Sequence, residues 1–178
     1  FMGLDSLSTP LHQAVKKLCE GPDGLYYALL FQGGITCFDK DIEKFLPVRF
    51  DKPLELKDIL DFCWNDGSLY LVTSQGLFES RIVRKTEGKH DFVLCLLNPE
   101  PVVRGKIAHL CSDGKTNLYF SVNQRKVVHH DLVAKKTSLI KEYSVVNRLF
   151  LRYGYLWICR LWDDIICYDL KTNEERVK

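Results

Sequence analysis

Val15-Lys16-Lys17-Leu18-Cys19, Ile59-Leu60-Asp61-Phe62-Cys63, Ile107-Ala108-His109-Leu110-Cys111 and Val146-Asn147-Arg148-Leu149-Phe150 are four versions of one pentapeptide. Each has an apolar residue, two variable positions, a large apolar residue, then Cys or Phe. Turn residues follow: Asp23-Gly24, Asp66-Gly67, Asp113-Gly114 and Tyr153-Gly154. Glycine takes positive φ there without steric cost. Next comes a Leu-aromatic pair: Leu25-Tyr26, Leu69-Tyr70, Leu118-Tyr119 and Leu156-Trp157. The aromatics lie 44, 49 and 38 residues apart, close to the roughly 40–50-residue period of propeller blades.

Working outward, each Leu-aromatic segment runs into a polar turn. The turns are Gln32-Gly33-Gly34, Ser74-Gln75-Gly76, Asn123-Gln124-Arg125-Lys126 and Trp162-Asp163-Asp164. A third β-rich segment follows each turn (35–39, 77–82, 127–132, 165–170), then a weaker fourth (44–48, 91–97, 138–143, 174–178). Val, Ile, Tyr, Phe and Trp dominate these segments, as strands require. The expectation is an all-β chain of four four-stranded antiparallel β-propeller blades, spanning roughly 11–50, 55–98, 103–143 and 144–178. Residues 1–10 read as a lead-in. The last copy, Leu156-Trp157-Ile158-Cys159 through Ile165 to Thr172, resembles WD40-like and quinoprotein-like blades, without the Gly-His and Trp-Asp dipeptides of standard WD40 repeats.

Four blades form either a small closed ring or a part of a larger one. An open arc exposes blade faces and strand edges to another chain. The expected function is therefore a non-enzymatic protein–protein interaction scaffold, a partial propeller completed by self-association or by a partner. Two alternatives stand beside it: a propeller enzyme or ligand binder with a central pocket, and a nucleic-acid binder using a basic rim.

Composition narrows these. Of 178 residues, 46% are hydrophobic and 27% charged, with 25 Lys and Arg against 23 Asp and Glu, a net charge of +2. So small an excess disfavours nucleic acid and anionic membrane surfaces. No apolar run approaches the ~20 residues of a membrane span. Seven cysteines without a CxxC pair read as small packing residues in a reducing compartment, so an intracellular location, cytoplasmic or nuclear, is expected.

The candidate chemistry is thin. His129 and His130 are neighbours on a strand and point to opposite faces, and Asp131 reads as a turn cap. Cys19, Cys63 and Cys111 share one repeat position, as packing produces. No catalytic residue, cofactor or metal is expected, and no repeated inward-facing polar signature is evident. The interaction candidates are Trp162 and Asp163 at a hairpin tip, Trp64 before another turn, Arg84 and Lys85 at the start of a charged insertion running to His90, and Arg125 with Lys126. Trp is enriched in interface hot spots. Trp162 either serves an interface or folds back on its own blade.

Overall fold

The computed structural model describes residues 14–40, 42–51, 59–85 and 91–177; the proposed lead-in lies outside them. These residues form strands, turns and no helix. Each of the four repeats is an antiparallel meander. Repeat one is β1 (Val15–Glu20), β2 (Tyr26–Leu30), β3 (Ile35–Asp39) and β4 (Lys44–Phe50). Repeat two is β5 (Asp61–Asn65), β6 (Ser68–Thr73), β7 (Gly76–Lys85) and β8 (Asp91–Leu96), followed by the short β9 (Val103–Arg104). Repeat three is β10 (Ile107–Ser112), β11 (Asn117–Val122), β12 (Lys126–Asp131) and β13 (Lys136–Glu142). Repeat four is β14 (Val146–Arg152), β15 (Tyr155–Arg160), β16 (Ile165–Asp169) and β17 (Glu175–Val177).

Two features depart from four separate antiparallel sheets. The outer strands of repeats one and two pair in parallel, Val48 to Phe92 and Phe50 to Leu94, and fuse the two into one sheet. Leu46, Val48, Phe92 and Leu94 then enter a common core. The fusion also covers two strand edges that would otherwise be open. In addition, β9 pairs with β7 through Leu77–Val103 and Gly76–Arg104. Gly76 is required there: φ is +142°, and a Cβ would lie 2.2 Å from the Val103 carbonyl oxygen.

The first repeat also shifts by one residue relative to its sequence pattern. Cys63, Cys111 and Phe150 pair across their meanders with Tyr70, Tyr119 and Trp157. Cys19 pairs with Tyr27, not Tyr26. Tyr27 is accordingly the buried aromatic of that copy, while Tyr26 is exposed.

Three apolar cores lie between successive repeats. Their membership follows the pentapeptide. Its first and fourth residues pack back against the preceding repeat: Ile59 and Phe62, Ile107 and Leu110, Val146 and Leu149 are all buried. Its fifth residue, with the paired aromatic and a β-branched or Leu residue of the third strand, packs forward. Cys19, Tyr27 and Ile35 do so in repeat one, Cys63, Tyr70 and Leu77 in repeat two, and Cys111, Tyr119 and Val127 in repeat three. Alternation along a strand sends successive side chains to opposite faces, so one pentapeptide serves two interfaces.

Candidate functional site

The stacking rule fails at the two ends. Val15 and Leu18 hold the backward-packing positions of repeat one and are 49% and 58% exposed. Phe150 and Ile165 hold forward-packing positions of repeat four and are each 42% exposed. Phe150 stacks on Trp157 with centroids 5.9 Å apart and planes 4° from parallel. Repeat four thus presents an aromatic-lined face with the same pattern that the other three repeats bury.

Val15, Leu18 and Phe150 also border one cavity of about 720 Å³, with Phe31 on its wall. Its floor comes from the second and third pentapeptide positions, among them Lys16, Lys17, Asp61, His109, Asn147 and Arg148. Local backbone geometry puts them there. The pairing slips between Val15 and Lys17, between Ala108 and Cys111, and between Val146 and Arg148. Such bulges re-aim side chains without breaking the sheet. His109 sits in the bulge of β10 at φ +54°, a conformation uncommon for a non-glycine residue. The expectation that no inward polar position recurs is therefore corrected. The third pentapeptide position reads Lys17, Asp61, His109 and Arg148, a polar set hidden by its changing chemistry.

Asp61 organises the floor. Its Oδ1 accepts from the Lys17 ammonium and from the Phe62 amide, both at 2.8 Å, and its Oδ2 from the Leu110 amide at 2.7 Å. Lys17 also donates to the Leu110 carbonyl at 2.9 Å. Three inner strands are tied at one point. Lys16 donates to the Leu60 carbonyl at 2.6 Å. Burial lowers the pKa of His109, with Lys16 and Arg148 acting in the same direction against Asp61.

The cysteines behave as packing groups. Burial raises the Cys19 thiol to about 11 and Cys111 to about 12, and drives Cys63 well above its ordinary value. All seven cysteines are free. His129 and His130 face apart. His129 stacks on Tyr119 and lies 2.6 Å from the Asn117 Oδ1, whereas the buried His130 meets the Thr137 hydroxyl at 2.8 Å. Asp131 accepts the amides of Val133 and Ala134 at 2.8 Å and closes its turn. Among the described residues, no group of three or more His, Cys, Asp or Glu side chains could hold a metal ion.

The seven interaction candidates do not form one site. Trp162 is 95% exposed at the β15–β16 turn, with φ +62°, so its ring does not fold back on the sheet. Asp163 pairs with Arg160 at 2.6 Å and braces that turn. Trp64 is half-buried and packs against the core between repeats one and two, edge-on to Tyr27 at 5.1 Å. The residue lies in β5, one position before its last residue Asn65 and the turn that follows. Arg84 and Lys85 extend β7 opposite Phe92 and Asp91 instead of opening a loop. The Arg84 guanidinium lies over the Phe92 ring; residues 86–90 lie outside the described set. Arg125 is 3.8 Å from Glu142, and Lys126 is exposed at the start of β12.

No family model matches the sequence, and no curated protein is similar to it at a significant level. Solved structures are similar in fold. The extracellular domain of a Bacteroides thetaiotaomicron protein described as a one-component system superposes with TM-score 0.69 at 12% identity, over 92% of this chain and 24% of that one. An auxiliary nutrient binding protein from the same organism gives 0.64 at 16% identity, over 93% and 42%. The WD40 domain of Neurospora crassa Pan2 gives 0.59 at 11% identity, over 94% and 52%. The chain spans between a quarter and about half of these structures. They define its class as propeller-like and all-β. No helix among the described residues is long and apolar enough to cross a membrane.

Proposed function

We propose that the chain is a non-catalytic protein-interaction module, a four-blade partial β-propeller whose two end faces receive a second copy of the same chain. One observation carries this reading. Val15 and Leu18 at one end, and Ile165 at the other, are exposed where their repeat equivalents are buried, and Phe150 beside Ile165 is exposed where Cys63 is buried and Cys19 and Cys111 are half-buried. The two faces are complementary halves of the interface that recurs inside the chain. A second copy, added head to tail, supplies the missing half at both ends. Such a heterologous contact closes when the rotation returns to the start, and two copies of four blades reach the upper part of the usual ring size. The propeller-like fold shared with a WD40 domain and with an extracellular domain is consistent with a binding role. The high thiol pKa values favour packing over nucleophilic chemistry.

Sedimentation equilibrium across the micromolar range tests the proposal. The wild-type chain is expected at twice the monomer mass. Burying the exposed 42% of Phe150, taken from a side chain of roughly 200 Å² at about 25 cal/mol per Å², contributes about 2 kcal/mol per face. Phe150→Asp removes it from both contacts of the pair, so the dissociation constant rises by about 1,000-fold or more. A monomeric wild-type chain, or an equally associated variant, refutes self-association.

A further inference from the structure

The cavity floor carries positive charge that its own carboxylate does not neutralise. Asp61 is the acidic residue among the lining groups, and both of its oxygens are engaged, by Lys17 and by two backbone amides. Arg148 is exposed and forms no ion pair with any described carboxylate. Lys16 uses one N–H on the Leu60 carbonyl, which leaves two of its three donors. Asn147, on the bulge of β14, lines the same cavity. A cation entering the floor meets two like charges and an occupied carboxylate, whereas an oxyanion meets the remaining donors of Lys16 and Arg148, with the charge of Asp61 offset by Lys17.

We propose that this floor binds a small oxyanion, a carboxylate or a phosphate. The Arg148 guanidinium is the planar anchor, suited to two parallel hydrogen bonds with such a group. Lys16 supplies the second charge, and the Asn147 amide orients the ligand. His109 holds its unusual backbone conformation on that floor, and residues in sparsely populated conformations concentrate at ligand sites. The cavity falls within the ~300–1,000 Å³ range of small-molecule sites. The end-face residues Val15, Leu18 and Phe150 border the same cavity, so self-association is read alongside binding in the test.

Equilibrium dialysis at low ionic strength, with radiolabelled inorganic phosphate and separately with succinate, tests it. At least one probe is expected to bind saturably, with a dissociation constant below about 1 mM. The probe that binds tells phosphate from carboxylate recognition. Arg148→Gln, at an exposed position, should weaken binding about tenfold or more while Lys126→Gln, outside the cavity, leaves it unchanged. Sedimentation of the same samples separates lost binding from altered self-association. Failure of both probes to saturate overturns the proposal, as does equal weakening by the two variants, which would indicate diffuse attraction to a basic surface.

Discussion

Asp61→Ala should be among the most damaging single changes on the inner strands. The carboxylate accepts three hydrogen bonds and ties β1, β5 and β10 together. Truncation leaves the Phe62 and Leu110 amides without that acceptor and the Lys17 ammonium with the Leu110 carbonyl alone. An orphaned buried donor costs about 1–3 kcal/mol, and a broken buried ion pair about 3–5. The side chains here are 27% and 14% exposed, so water recovers part of the loss, and about 3 kcal/mol is expected. For a chain of this length that lowers the melting temperature by roughly 6–12 °C. Asp61→Asn keeps the shape and one acceptor and should cost about half as much. A urea-denaturation cycle combining Asp61→Asn with Lys17→Met isolates the pairwise term, expected at about 1–2 kcal/mol. Loss of less than about 0.5 kcal/mol in Asp61→Ala, the range of ordinary surface changes, refutes a structural knot at this position.

Three further outcomes follow from the geometry. Gly76→Ala drives a methyl group into the Val103 carbonyl and should cost about 2–3 kcal/mol in urea melts; a neutral result would show that β9 can move away freely. Trp64→Ala should cost about 3 kcal/mol, whereas Trp162→Ala should change stability by less than about 0.5 kcal/mol; similar melting curves for the two would contradict their opposite placement. Glu175 accepts from the Lys141 ammonium at 2.6 Å and from the Tyr143 hydroxyl at 2.5 Å, linking repeats three and four. Burial raises its pKa, but these bonds outweigh burial and hold it below its ordinary 4.5. Its stabilising contribution is complete above that ordinary value and is lost as the pH falls through the lowered folded-state value. Glu175→Gln should therefore flatten the acid limb of the circular-dichroism unfolding curve, and superimposable acid limbs would count against the link.

Much of the fold was legible because one pentapeptide had to satisfy two neighbours. Ile107 and Leu110 answer to the preceding repeat and Cys111 to the following one, so residue type is constrained at those positions and the repeat shows through. Pairing between the outer strands was not legible. Val48 and Phe92 read as ordinary strand residues, and nothing local fixes which distant edge they meet. The packing of Trp64 on Tyr27 was not legible either, because the turn after Trp64 is a local signal and that contact is a long-range fact. The one-residue shift in repeat one has a similar source. The turn between Cys19 and Tyr27 is one residue longer than that between Cys63 and Tyr70, and adjacent Tyr26 and Tyr27 both offer an aromatic.

The polar floor escaped for the opposite reason. Repetition reveals positions where packing demands similar residues, and it conceals those released from packing. A bulge beside the third pentapeptide position turns Lys17, His109 and Arg148 from the stacked cores toward the cavity. Once out of the stack, the side chain no longer has to match its counterparts, so four copies carry a lysine, an aspartate, a histidine and an arginine. Repeat two has no such slip; there Asp61 accepts the amides of Phe62 and Leu110 and fixes the strands around it. Variation inside a strict repeat is thus a physical signal in its own right: it marks where the scaffold has stopped constraining the residue. In this chain that signal coincides with the cavity floor, and it separates the groups that hold the fold, Asp61 and Lys17, from those left available to a ligand, Arg148 and Lys16.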